Sequence, residues 1–252
     1  MTYQLYQQDC CEWMQQQPAA CIDVVLTSPP YDAIRCYNGY SFDFETTARE
    51  LVRVLKPGGV IVWNVADATV NGSETGTSMR QALYFMSLGL NLHDTMIYLK
   101  RNPMPTNRIT RRYHQAWEYI FVFSKGTPKT FNPIMIKTKY KGTARMKYRG
   151  VDGKISYQST PRNDQTKVRN VFEYTIGGGH TTKDKQLFQH PALMPEQLAQ
   201  DMLSTWADPL DIVYDPFAGA GTTLSAAKQL GLNSIGTEID ANYCSLIHNR
   251  MQ

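Results

Sequence analysis

The sequence predicts an α/β fold: a mainly parallel central sheet covered by helices on both faces. Three observations carry this expectation. Short, nearly unbroken apolar runs recur at Ile22–Leu26, Val60–Val65, Trp117–Phe123 and Ile212–Tyr214. Segments with a helical period fall between most of them, and breakers such as Pro29-Pro30 and Pro57-Gly58-Gly59 stand at the junctions. The 252 residues, 42% of them hydrophobic, suffice for one core with a small appended lobe and exclude a wholly disordered chain.

In order along the chain, Ile22–Leu26 is short, β-rich and apolar, and it runs into the double proline, as a buried strand does. Phe44, Ala48, Leu51, Val52 and Leu55 recur at helical spacing, so a helix ends before Pro57-Gly58-Gly59. Val60–Val65 is the next strand. Met79, Leu83, Met86 and Leu90 predict a second helix by their spacing, and Thr95–Leu99 a third strand. Trp117–Phe123 is expected to be a fully covered strand. From Ser124 to about Gly179 no period is sustained. The rhythm resumes with a helix through Leu198, Met202 and Leu203, strand Ile212–Tyr214, helix Thr222–Leu230, strand Ser234–Glu238 and helix Ala241–Asn249. Trp63 and Trp117 are expected in the core or a pocket wall. Lys56 is expected to cap a helix C-terminus, and Gly177-Gly178-Gly179 to be a hinge or a plain linker.

Charge is segregated. From Lys100 to Lys185 there are 19 basic and 5 acidic residues, a net of +14, while the remainder nets −10, so the overall +4 conceals a basic middle set in an acidic body. A surface that meets a polyanion has this signature. Tyr140, Tyr148 and Tyr157 are threaded among the cations, suited to packing on sugar or base while Lys and Arg contact phosphate. No run of 18 apolar residues occurs, and the first residues carry no basic region ahead of an apolar stretch. The five cysteines are odd in number and show no CxxC, so a cytoplasmic protein without structural disulfides is expected. The five histidines show no metal-ligand spacing with one another or with cysteine, and no metal is expected.

Two loops carry chemistry. In Val213–Thr223 (VYDPFAGAGTT) a strand delivers Asp215, Gly219 and Gly221 follow, and a helix starts near Thr222. Glu238 closes the next strand, where an acid accepts hydrogen bonds from ribose hydroxyls. The dinucleotide fingerprint is incomplete, since DPFA precedes GAG and the third glycine is missing. A nucleoside cofactor without a pyrophosphate, such as S-adenosylmethionine, fits better. The second loop, Thr27-Ser28-Pro29-Pro30-Tyr31, follows the first strand, at the strand end where ligands bind in parallel sheets. Two prolines remove two N–H donors and leave a rigid, acceptor-rich edge. That edge suits an amino group: Ser28 Oγ and the Pro29 carbonyl can take its two hydrogens while Tyr31 stacks on a flat heterocycle. Either loop alone would also be read as a plain turn.

Jointly the motifs resemble those of the DNA methyltransferases that move a methyl group from S-adenosylmethionine to N4 of cytosine or N6 of adenine. Ser28-Pro29-Pro30-Tyr31 is similar to the family's catalytic tetrapeptide, and Asp215–Thr223 to its cofactor motif, with Ala220 where Ser is usual. His190-Pro191-Ala192, Leu55–Gly59, and Lys100 to Pro105 with Glu118 resemble further family segments, and Asp9 stands where an acid often lies near the cofactor.

The resemblance implies a Rossmann-like methyltransferase fold in permuted order: a catalytic part over 1–123, a basic target recognition region over 124–185, and a cofactor-binding part over 186–252. It implies catalytic roles for Ser28, Pro29, Pro30 and Tyr31 on a base extruded from the duplex. It implies a cofactor set of Asp9, His190, Pro191, Ala192, Asp215, Phe217, Ala218, Gly219, Gly221, Thr222, Glu238 and Asp240. The DNA-facing set is Lys100, Asn102, Arg108, Arg111, Arg112, Lys137, Lys139, Lys141, Arg145, Lys147, Arg149 and Arg162. Double-stranded DNA is the implied partner. A cognate restriction endonuclease, and a monomer or a homodimer, are compatible with the pattern. Ser at the first catalytic position is commoner among the N4-cytosine enzymes, with N6-adenine the alternative. An RNA methyltransferase, a nucleotide-dependent metabolic enzyme and a non-catalytic DNA-binding module remain other readings.

Overall fold

The computed structural model describes residues 2–30, 42–106, 111–139, 142–177, 179–182, 187 and 193–252. Its elements are β1 (Tyr3–Gln7), α1 (Cys10–Gln15), β2 (Ile22–Thr27), α2 (Phe44–Val54), β3 (Leu55–Val65), β4 (Thr69–Val70), β5 (Ser73–Glu74), α3 (Thr77–Ser87), β6 (Asn91–Lys100) and β7 (Trp117–Ser124). Then come β8 (Met135–Lys137), β9 (Thr143–Arg149), β10 (Ile155–Pro161), β11 (Gln165–Lys167), β12 (Val171–Tyr174), α4 (Glu196–Trp206), β13 (Ile212–Asp215), α5 (Thr222–Gln229), β14 (Asn233–Glu238) and α6 (Ala241–Met251).

Eight strands form one sheet in the order β1-β14-β13-β2-β3-β7-β6-β12. All neighbours pair in parallel except at β7, which runs against both β3 and β6. The mainly parallel sheet is therefore as expected. The C-terminal ends of β1, β2, β3, β13 and β14 consequently share one edge, and both candidate loops leave from it. One face of the sheet packs Trp13, Leu51, Trp63, Phe85 and Phe123; the other packs Leu26, Ile120, Val122, Met202 and Trp206. Apolar side chains on both faces explain the unbroken runs in β2, β3 and β13. Among the described residues no helix is long and apolar enough to cross a membrane.

Several local expectations are corrected. The stripe Met79, Leu83 and Met86 lies on α3 as its spacing predicts, and it faces outward, 55%, 64% and 44% exposed, while Ser78, Gln81, Ala82 and Phe85 are buried. Gln81 is drawn inward because its side-chain oxygen accepts a hydrogen bond from Trp63 Nε1 at 2.9 Å. Trp117 is 38% exposed, so β7 is covered only from Ile120 onward. Lys56 does not cap α2; it pairs with the buried Asp23 at 2.7 Å. The cap comes from Lys125, whose Nζ donates to the carbonyls of Val52 and Leu55 at 2.7 and 2.9 Å.

The chain divides into two compact units: residues 1–132 together with 170–252, and Pro133–Arg169. The second is narrower than 124–185 at both ends. Lys125 and Lys129 belong to the first unit, where Lys129 pairs with Asp23 and Asp211 at 2.6 Å each. Val171–Tyr174 adds an edge strand to β6. The smaller unit consists of two antiparallel pairs, β9 with β10 and β8 with β11.

Candidate cofactor and catalytic site

A cavity of about 360 Å³ opens at the C-terminal edge of the sheet. Its walls include Asp9 after β1, Ser28 and Pro30 after β2, the 215–220 loop after β13, and Glu238 to Asp240 after β14. Parallel strands bring these sequence-distant loops to one place. Asp215 is buried and its Oδ1 accepts from Thr27 Oγ1 at 2.7 Å and from the Phe217 amide at 3.1 Å. Thr27 immediately precedes Ser28, so one buried hydrogen bond ties the two chemistry-bearing loops together. Asp215 supports the loop; burial pushes its carboxyl up to about 6, and the hydrogen bonds from Thr27, Thr223 and Phe217 oppose that rise only in part.

This makes a pH prediction. A carboxyl that the fold holds near 6 rather than 3.8 binds its proton more tightly folded than unfolded. Its contribution is therefore fully present below 3.8 and is lost as pH rises through 6, about 3 kcal/mol in all. Urea titrations of the wild type and Asp215→Asn at pH 4 and pH 7 should show the Asn form gaining relative stability by about that amount. An unchanged difference would contradict the desolvation of Asp215.

Glu238 is also buried enough to be raised above its ordinary value. Its Oε2 accepts from the Gly219 amide at 2.7 Å and its Oε1 from the Asp240 amide at 2.9 Å. The Ile239 amide contributes as well, and a carboxylate with about four acceptor sites still has capacity for a donor in the cavity. Gly219 and Gly221 have φ of 52° and 73°, and Gly221 is the N-cap of α5. A Cβ on Gly221 would stand 3.0 Å from Ile247 Cγ1, so helix packing as well as the turn demands glycine there. Ala218 and Thr222 line the cavity, as does Phe217, whose ring meets Phe42 edge-on at 5.0 Å.

Asp9 and Asp240 line the cavity while capping α1 and α6: Asp9 accepts from the amides of Cys11 and Glu12, Asp240 from those of Asn242 and Tyr243. Tyr31, His190, Pro191 and Ala192 lie outside the described residues, although the next two residues, Leu193 and Met194, line the cavity.

Two features escaped the sequence reading. The side chain of Arg250 on α6 is only 7% exposed; its Nη1 donates to the Ala220 carbonyl at 2.7 Å and its Nη2 pairs with Glu196 at 2.7 Å, clamping the glycine loop from behind. No motif spacing signals it. Asp9, Cys10 and Cys11 bring three potential ligand atoms within 4.8 Å of one another, a grouping invisible to a search for His and CxxC spacings.

Residues 22–249 match the DNA methylase family that unites the N6 and N4 enzymes. The chain belongs to that family. It is 48% identical over 237 residues to the orphan methyltransferase M.BamHII of Bacillus amyloliquefaciens, covering 92% of this chain and 89% of that one. It is 28% identical over 269 residues to the type II methyltransferase M.MthZI of Methanothermobacter thermautotrophicus, covering 91% and 71%. The fold is shared with the cytosine-N4-specific PvuII DNA methyltransferase (TM-score 0.73, 19% identity, 100% and 87% coverage). It is shared also with the M1.HpyAVI–SAM complex (TM-score 0.69, 23% identity, full coverage of both chains). The enzyme is thus an amino-group DNA methyltransferase, as its motifs implied.

The residues expected to face DNA divide into two sets. In the larger unit of the enzyme, Lys100 is paired with Glu118 at 2.6 Å, itself held by Asn64 Nδ2 at 2.7 Å. Asn102 clamps the backbone of Ile176 through both ends of its amide, and Arg112 is tied to Glu74 and the Gly72 carbonyl. Arg111 is exposed. In the smaller unit Lys137, Lys139, Arg145, Lys147, Arg149 and Arg162 are all exposed. Arg108 and Lys141 lie outside the described residues.

Proposed function

We propose that the enzyme transfers a methyl group from S-adenosylmethionine to N4 of a cytosine that has left the duplex. The observation that carries this reading is the shared cavity: Ser28, Pro30, the Asp215 loop and Glu238 line one space, and Thr27 bonds to Asp215 beneath it. The residues fit the cofactor. Glu238 retains acceptor capacity for ribose hydroxyls, and a cavity of about 360 Å³ with one apolar wall around Phe217 accommodates a nucleoside. S-adenosylmethionine, when bound, supplies an electrophilic sulfonium methyl group.

The protein's part is positioning. Ser28 Oγ and the Pro29 carbonyl accept the two amino hydrogens of the base, which turns the nitrogen lone pair out of the ring and toward the methyl group. Tyr31 stacks on the ring. Serine at position 28 is neutral, whereas a carboxylate there would place a full charge beside the reacting amine. Both amines suit such a site; it is the greater frequency of Ser at this position among the N4-cytosine enzymes of the family that supports cytosine over adenine. Residues 133–169 contact the DNA and supply most of the sequence discrimination, with exposed cations for phosphate.

Digesting DNA treated with the purified enzyme and cofactor to nucleosides, followed by mass spectrometry, is expected to give N4-methylcytosine. N6-methyladenine as the sole product would overturn the choice of base while leaving the transfer chemistry standing. Modified-base sequencing of the same DNA would give the recognition site.

A further inference from the structure

The short helix α1 places two adjacent thiols, Cys10 and Cys11, on the wall of the cavity that also holds Glu238 and the 215–220 loop. Their sulfur atoms and a carboxylate oxygen of Asp9 lie within 4.8 Å of one another. Cys10 is buried. Cys11 is only half-buried, and Thr47 Oγ1 on α2 stands 3.2 Å from its Sγ.

The pair is asymmetric. Its hydrogen bond to Cys11, together with burial, makes Cys10 hold its proton more tightly. The same bond brings Cys11 down to about 7, helped by the Thr47 hydroxyl and opposed by burial and by the carboxylates of Asp9 and Asp43. Cys21 and Cys244 move the other way, both through burial, Cys244 to about 11. Thiolate is the form that attacks, and Cys11 is the less buried of the two thiols that line the cavity, so geometry and acidity select the same sulfur.

We propose that Cys11 is a thiol-modification site, at which a low-molecular-weight disulfide forms a mixed disulfide that occupies the cofactor cavity. The inference rests on the reading that this cavity takes S-adenosylmethionine. In the step, Cys11 gives its proton to water and its sulfur attacks one sulfur of the small disulfide. A new S–S bond forms, the old one breaks, and the other half leaves as a thiolate. Cys11 is oxidised and the departing half is reduced, so no further oxidant is required. Cys10 serves as the positioning thiol that stabilises the attacking sulfur. Because the adduct and the cofactor claim the same space, each excludes the other.

The test uses the whole protein, cystamine as the disulfide, and peptide mapping by mass spectrometry near neutral pH. Cys11 is expected to take the adduct about tenfold or more faster than Cys21 and Cys244. Saturating S-adenosylhomocysteine should slow labelling of Cys11 and leave Cys21 unchanged. The adducted protein should lose cofactor binding in calorimetry and regain it with dithiothreitol. A Cys11→Ser chain, shown to be folded by circular dichroism, should acquire no adduct on α1, and Cys10→Ala should slow labelling of Cys11.

Faster labelling of Cys21 or Cys244, or an adduct on Cys10 in preference to Cys11, would overturn the assignment. So would an adduct at Cys11 that leaves cofactor affinity intact. Should the untreated protein bind no S-adenosylmethionine, the functional reading would fall separately, and the order of labelling would still decide the reactivity of Cys11.

Discussion

The Glu238→Ala chain is expected to bind S-adenosylmethionine about a hundredfold more weakly while remaining folded. A half-buried carboxylate raised above its ordinary value by desolvation is a strong acceptor for any donor that reaches it. Two ribose hydroxyls bonded to such a group are worth about 1.5 kcal/mol each, about 3 kcal/mol together, which is the hundredfold. The substitution also leaves the Gly219 and Asp240 amides without the partners they hold at 2.7 and 2.9 Å, so a stability loss of about 1–2 kcal/mol should accompany it. Glu238→Gln keeps one acceptor oxygen and should fall between, at about tenfold. Calorimetry on the three proteins separates the cases. Unchanged affinity in a folded Ala variant would remove Glu238 from the cofactor site and leave it as a brace for the glycine loop.

The parts of this site that were legible in the sequence are those in which backbone geometry constrains residue type. The Asp215–Thr222 loop reads clearly because a strand, two left-handed glycines and a helix start must follow one another there, and the acid at Glu238 falls one parallel strand later. Strands β2, β3 and β13 read clearly because both faces are covered, which writes a continuous apolar run. Arg250 was not legible: its work is done by two hydrogen-bonding ends that meet Ala220 and Glu196 only after α6 folds back.

The stripe on α3 predicted the helix but not which side of it is buried. Periodicity reports that a helix has two faces, but which face is buried depends on what it meets. Gln81 faces inward because Trp63 needs an acceptor, while Met79 and Leu83 stay exposed. Not every cation of the basic middle is surface charge. Lys125 and Lys129 are spent inside the larger unit on a helix cap and on two aspartates, which composition cannot distinguish from surface charge.

Replacing Arg145, Lys147 and Arg149 together by Gln is expected to weaken DNA binding by two to three orders of magnitude at about 0.1 M salt, with cofactor affinity unchanged. The three residues alternate along β9, so the pleat directs them to one face of the β9–β10 ribbon. On that face they are joined by Tyr157, opposite Lys147, and Ser159, opposite Arg145; Ala144, Met146 and Tyr148 point to the other side. The Arg145 guanidinium lies 4.4 Å from the centre of the Tyr157 ring, which holds this cation in place for a planar, two-point contact with phosphate.

A two-stranded ribbon has the width of the major groove, and a face with three cations and no acid suits its rims. Each phosphate contact removed should lower the slope of log K against log salt by about 0.9, so the triple variant should lose between 2 and 3 from the slope. The charges are exposed and outside any core, so the ribbon should persist in the variant, which circular dichroism can confirm. Fluorescence anisotropy over a range of salt concentrations gives both the affinity and the slope. Tyr157→Ala supplies the contrast: it should weaken binding through loss of stacking and of Arg145 alignment while changing the slope by less than one phosphate contact. If the triple variant keeps the wild-type slope, the ribbon does not lie on the backbone, and the phosphate contacts must come from other cations such as Arg111, Lys137 or Arg162.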